Sequence, residues 1–251
     1  MSITSYPEVV TFGGGVGDYP YELQVSRGLV PGHKRLFKFG YNPEIQNISE
    51  TIWDYGGVYT YLTTDVAMTV TSSAGVADNG VVVTVAGLDA NYNEVSETVT
   101  LAGAGTATTT QTFLRVYRAY LDDSQDATGA ISITNAGTVY AYIGAAENQT
   151  LMALWTVPAG YTAYIFQTDV TSFTEQNNKI ATISMRIRDF GDNYFRTRDK
   201  FDVFQASTSQ VYHFPIPVPE KSDIEFRAIA SSSNADLKVA ARFDIVYIEN
   251  S

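Results

Sequence analysis

The amino-acid sequence predicts an all-β protein with two antiparallel β-sandwich domains behind an extended N-terminal arm. Runs rich in Val, Ile, Thr, Tyr and Phe recur at about ten-residue spacing, separated by clusters of Gly, Asn, Asp and Ser. No window combines a capping residue with the i, i+3, i+4, i+7 apolar spacing of an amphipathic helix. Many short, evenly spaced strands are typical of a sandwich or barrel.

Residues 1–56 are predicted to form the arm. They contain the glycines of Phe12–Gly17 and four prolines, which alternate extended pieces with turns and disfavour long regular structure. Their aromatic side chains are too apolar to remain in water, so we expect the arm to lie on its own domain or on a neighbour. These side chains are Tyr6, Tyr19, Tyr21, Phe37, Phe39 and Tyr41.

Residues 57–148 are predicted to form the first sandwich. Val81–Val85 and Val95–Leu101 flank a polar turn, which predicts a hairpin. Further strands are expected at Thr112–Leu121, Ile131–Thr134 and Val139–Ile143.

Residues 149–251 are predicted to form a second, jelly-roll-like sandwich of roughly eight strands. Its strands are expected at 151–157, 161–168, 183–187, 195–204, 211–214, 224–230 and 238–248. Around Ile183–Ile187, apolar residues alternate with Ser184, Arg186 and Arg188, so one strand face is apolar and the other cationic.

Composition and charge exclude several classes of protein. The 251 residues include 27 acidic and 16 basic side chains, for a net charge of −11, and nucleic acid as the main partner would require a basic face. The absence of Cys excludes disulfides, thiolate nucleophiles and Cys-based zinc sites. No run approaches the roughly 18 apolar residues of a membrane span. The first residues lack a signal-peptide pattern, so we expect folding in a cytoplasm.

The sequence does not match known catalytic or metal-binding patterns. Gly-x-Ser-x-Gly is absent, and His33 and His213 have no evident partner, which favours structural or surface roles for both. The glycine run around residue 15 lacks the Lys-Ser or Lys-Thr of a phosphate-binding loop. Asp89–Asn93 resembles the start of a calcium loop, but Glu94 replaces the required Gly, so a hairpin turn is favoured. Asp122–Asp126 is predicted to be a solvated acidic loop. We therefore predict no enzymatic activity, no cofactor and no metal.

Two sugar-related alternatives stay open. Glycoside hydrolysis needs two carboxylates at a defined separation, which the sequence cannot test. A glycan-binding face would use exposed aromatic rings on strands. The available rings are Tyr140, Tyr142, Tyr161 and Tyr164.

Four segments together resemble a family of virion structural proteins of tailed bacteriophages: Gly87–Leu101, Phe113–Tyr120, Thr150–Gly160 and Phe214–Arg227. The resemblance covers about residues 80 to 250 and leaves the arm outside it. It implies a place in a virus particle, with no catalytic residue.

The predicted function is a capsid decoration or cement protein that binds the major capsid protein across shell subunits. It is expected in the virion, assembled in the host cytoplasm, as a homo-oligomer with a trimer favoured. A tail or head-to-tail component is the alternative, and a glycan-binding module is less favoured. The predicted interface residues are Tyr6, Tyr19, Tyr21, Arg35, Phe37, Phe39, Arg186, Arg188, Arg196 and Arg198.

Overall fold

The computed structural model describes residues 19–122, 126–175, 179–232 and 236–251, and it confirms the all-β class. Within these ranges the helical elements are α1 (Tyr21–Ser26) and a 3-10 turn (Gly75–Asp78). The strands in chain order are β1 (His33–Ile45), β2 (Glu50–Thr51), β3 (Val66–Ser72), β4 (Val82–Leu88), β5 (Glu94–Thr100), β6 (Thr106–Phe113), β7 (Arg115–Leu121), β8 (Ile131–Asn135), β9 (Thr138–Ile143), β10 (Leu154–Thr156), β11 (Tyr161–Phe173), β12 (Ala181–Arg188), β13 (Arg196–Val203), β14 (Ser207–Val218), β15 (Asp223–Ala230) and β16 (Leu237–Glu249).

One sandwich is a jelly roll. Its first sheet has the strand order β1-β16-β11-β14, and its second has the order β10-β15-β12-β13, with β2 pairing on β15. The core between these sheets includes Trp155, Phe226 and Phe243, each at most 1% exposed. The rings of Phe226 and Phe243 stack across the two sheets with centroids 5.3 Å apart.

The other sandwich joins a sheet of order β6-β3-β8-β9 to a sheet of order β5-β4-β7. Its separate core includes Trp53, Met68 and Phe113. The polar turn 89–93 forms the predicted β4–β5 hairpin, in which Asp89 Oδ1 accepts the N–H groups of Asn91 and Asn93 at 2.8 and 2.9 Å. The expected single strand Thr112–Leu121 is wrong, because the chain leaves one sheet at β6 and enters the other at β7.

This second sandwich is inserted between β2 and β10, which together occupy one strand position of the jelly roll. β2 pairs with β15 at Thr51↔Arg227, and β10 continues the same edge at Leu154↔Glu225. The two crossing segments lie side by side, since Ala153 N–H donates to Ile52 O at 2.9 Å and Trp53 bridges Met152. The whole second sandwich is built between these two segments.

The expectation that residues 1–56 contain no long regular structure is wrong for β1. This strand pairs with β16 from His33 to Asn42 and again at Ile45. Pro43 lies at the register shift in this pairing. Proline has no backbone N–H to donate, and it is tolerated here because the ladder of hydrogen bonds is already interrupted. Gly40 lets β1 approach the crossing segments, because a Cβ there would lie 2.1 Å from Ala153 N. The domain boundaries at residues 56 and 148 stay a prediction.

Candidate functional site

Three predicted interface residues lie together on β1. Arg35, Phe37 and Phe39 occupy alternate positions, so their side chains lie on one face of the first jelly-roll sheet. Phe37 is 49% exposed and Phe39 is 36% exposed. Arg35 forms an exposed ion pair with Asp244 of β16, with Nη2 and Oδ1 3.0 Å apart.

The short helix α1 lies beside β1 and was not predicted, because six residues are too few to show a helical period. Tyr21 contacts the ring of His33 edge-on, with centroids 6.0 Å apart, and Val25 is buried. The guanidinium of Arg27 lies 4.7 Å from the ring centroid of Tyr19. Tyr6 lies outside the described residues.

An apolar groove of about 530 Å³ lies beside α1. Its lining includes Leu23, Val25, Phe166, Val211 and Val246. Tyr21 of α1 also lines this groove, together with residues of β11 and β14.

The four predicted arginines lie in two different environments. Arg186 lies over the ring of Phe195 at 5.1 Å, and Arg188 lies over the rings of Tyr61 and Phe195 at 4.6 and 4.9 Å. Arg196 and Arg198 are exposed on β13. Two aspartates offset their charges locally. Asp189 lies within 4 Å of both guanidinium groups, and Asp192 lies within 4 Å of the Arg196 guanidinium.

A buried ion cluster joins the two sandwiches at Asp223, which is 2% exposed. Arg115 Nε of β7 donates to Asp223 Oδ1 at 2.8 Å, and Arg188 Nε of β12 donates to Oδ2 at 3.0 Å. Thr156 Oγ1 donates to Oδ1 at 2.6 Å. Burial lowers the pKa of Arg115, but the adjacent Asp223 outweighs this effect and leaves that pKa raised. Sequence reasoning missed this cluster because 108 residues separate Arg115 from Asp223.

A second concave region, which we call the inter-sandwich cleft, has a volume of about 650 Å³. The wall from the jelly roll is β1 at Leu36–Phe39. The opposite wall comes from β5 and β7, including Ser96, Tyr117 and Arg118. Lys38 is buried here, and its Nζ donates to the backbone carbonyl of Tyr117. Burial, together with the nearby charge of Arg118, lowers the pKa of Lys38 to about 7.

The residues considered for sugar binding do not share one exposed face. Tyr140 is buried in the core of the second sandwich. Tyr161 contacts Tyr247 edge-on in the jelly roll, with centroids 5.3 Å apart. In the described parts of the chain, no group of three or more His, Asp or Glu side chains is arranged to hold a metal ion, and no helix there is long and apolar enough to cross a membrane.

No protein-family model matches the sequence, and no curated protein is significantly similar to it. Among solved structures, the chain is similar to one of infectious bursal disease virus, Gx strain, at 12% identity over 87% of this chain and 76% of that chain, with a TM-score of 0.22. A crystal structure of the VP2 subviral particle of the same virus has 9% identity, coverages of 87% and 77%, and a TM-score of 0.20. The Gt strain structure also has 9% identity, with coverages of 93% and 82% and a TM-score of 0.20. Similarities this low carry no argument about what this chain does.

Proposed function

We propose that this chain is a non-enzymatic structural protein of a virus particle, and specifically a capsid decoration or cement protein of a tailed bacteriophage. The observation that carries the proposal is the set of large apolar side chains exposed on the jelly roll. Exposed apolar surface of this kind marks protein–protein contacts. The most exposed members are Phe37, Ile48, Phe173, Phe190, Tyr194, Phe204, Val211 and Phe214.

The proposed mechanism is thermodynamic. A protein that binds only the assembled shell stabilises that shell by mass action, because dissociation of the shell would also require its release. The negative net charge of −11 would keep the free protein soluble and away from packaged nucleic acid. The partner in this proposal is the major capsid protein, with the chain as a homo-oligomer, a trimer by preference.

A tail or head-to-tail component is the second candidate, because the family resembled by residues 80 to 250 includes such proteins. The copy number of the protein relative to the major shell protein in purified virions separates the two. Quantitative mass spectrometry should find about one copy per shell subunit or per three subunits for a decoration protein with the symmetry of the shell. A ratio of a few copies per hundred shell subunits would refute decoration and favour the tail.

The exposed phenylalanines give a direct test of the interface. A Phe37→Ser, Phe39→Ser double variant should fold normally, since both rings are exposed, and should lose binding to empty heads in a sedimentation assay. Val76→Ser is the matched control, because Val76 is 70% exposed but lies on the 3-10 turn of the second sandwich. Equal binding by both variants would remove β1 from the proposed interface.

A further inference from the structure

The outer edge of β1 carries a row of backbone groups that point into the inter-sandwich cleft. Gly32 O accepts the N–H of Glu249 on the β16 side, whereas Tyr41 N–H donates to Leu151 O on the opposite side. Backbone groups alternate sides along a strand. The N–H and C=O groups of residues 35, 37 and 39 therefore point away from β16, and none has a hydrogen-bond partner among residues 19–122, 126–175, 179–232 and 236–251.

The open edge is bounded at both ends. The ion pair of Lys34 with Glu94, at 2.8 Å, links β1 to β5 at one end. The Tyr41–Leu151 hydrogen bond links β1 to a crossing segment at the other. Six residues of strand lie between these contacts and span about 20 Å, which is enough for a short extended peptide. Open, unprotected strand edges are sites at which another strand pairs.

The cleft also has two basic side chains without a matching anion. Lys38 is only 6% exposed and forms no ion pair with any carboxylate in the described part of the chain. Buried cations in proteins are normally paired. Arg118 is exposed in the same cleft, with its guanidinium 4.7 Å from the ring centroid of Tyr120. The one acid in the lining, Glu94, is already bound by Lys34 and by the Tyr247 hydroxyl at 3.2 Å.

We propose that the inter-sandwich cleft binds an extended acidic segment of another protein, which adds as a strand to the free edge of β1 and places a carboxylate opposite Lys38 and Arg118. Backbone pairing to residues 35, 37 and 39 supplies the contact along the edge, and the carboxylate supplies selectivity. The inference rests on the proposed function only in assigning the segment to another protein.

Binding of short labelled peptides to the full chain, measured by fluorescence anisotropy, tests the site. The peptide acetyl-Thr-Val-Glu-Val-Thr-amide should bind about tenfold or more tightly than its Gln analogue, because a hydrogen bond between ionised groups is lost in the latter. A version N-methylated at alternate amides should not bind, since it cannot pair with a strand edge. Equal affinity of the three peptides, or no binding by any of them, would overturn the proposal.

Variants of the chain locate the site. Ser96→Trp should abolish binding by filling the cleft from the exposed face of β5 without altering Lys38. Lys38→Met should weaken the preference for Glu over Gln, since only Arg118 would then face the carboxylate. Arg242→Gln, which changes an exposed cation outside the cleft lining, should leave binding unchanged. Displacement of the acidic peptide by a synthetic Ser2–Phe12 peptide at lower concentration would assign the cleft to this chain's own terminus and refute a foreign segment. None of these outcomes depends on the copy number that tests the proposed function.

Discussion

Replacing Asp223 with Asn should greatly destabilise the protein. The substitution preserves the volume of the side chain but leaves Arg115, 6% exposed, without its buried counter-charge. Removing one partner of a buried ion pair typically costs 3–5 kcal/mol. Arg115 retains hydrogen bonds from Nη1 to Leu62 O and Leu114 O at 2.8 and 2.9 Å. We therefore expect the free energy of unfolding to fall by about 3 kcal/mol, at the lower end of this range.

Urea unfolding measured by tryptophan fluorescence gives the free energy of unfolding. Trp155 lies in the jelly-roll core and Trp53 in the core of the second sandwich, so the Trp53→Phe and Trp155→Phe backgrounds report on each sandwich separately. Since the ion cluster spans both sandwiches, Asp223→Asn should lower the transition midpoint in both backgrounds.

Asp192→Asn is the matched control for this experiment. It removes the carboxylate of an exposed pair with Arg196, so the midpoint should not change measurably. If Asp223→Asn shifted the midpoint no more than this control, the buried cluster would not hold the sandwiches together.

Three further outcomes follow from the structure. Gly87→Ala should destabilise the chain by about 1–3 kcal/mol in urea unfolding, because the new Cβ would lie 1.9 Å from Arg115 O; unchanged stability would contradict this contact. Phe243→Ala should cost about 3–5 kcal/mol by the same measurement, since it leaves a cavity against Phe226. Burial raises the pKa of Asp54 from 3.8 to about 7. Folding therefore favours its protonated form, and stability should fall as pH rises from about 4 to 7. The Asp54→Asn variant should show a smaller fall in stability over this range. Identical pH profiles for the variant and the unmodified protein would refute this prediction.

Local patterns predicted local structure. The 89–93 turn could be predicted because its Asp and Asn side chains cap a short hairpin, and strand spacing predicted the all-β class. The β2 and β10 pairing with β15 depends on contacts at least 67 residues apart in sequence, which periodicity does not encode. Lys38 was missed for a related reason. A lysine between two phenylalanines on a strand is expected to face solvent. In the structure the two phenylalanines face outward instead, and the lysine lies in the cleft.

The adjacent crossing segments also matter for how such a chain can change. Because the chain leaves the jelly roll at Trp53 and returns at Met152 as directly paired neighbours, a two-residue turn could close the gap. The second sandwich is therefore a single insertion at one point of the jelly roll. A module of different length could replace it at this point without changing the register of any jelly-roll strand, provided that it supplied a cation to pair with the buried Asp223.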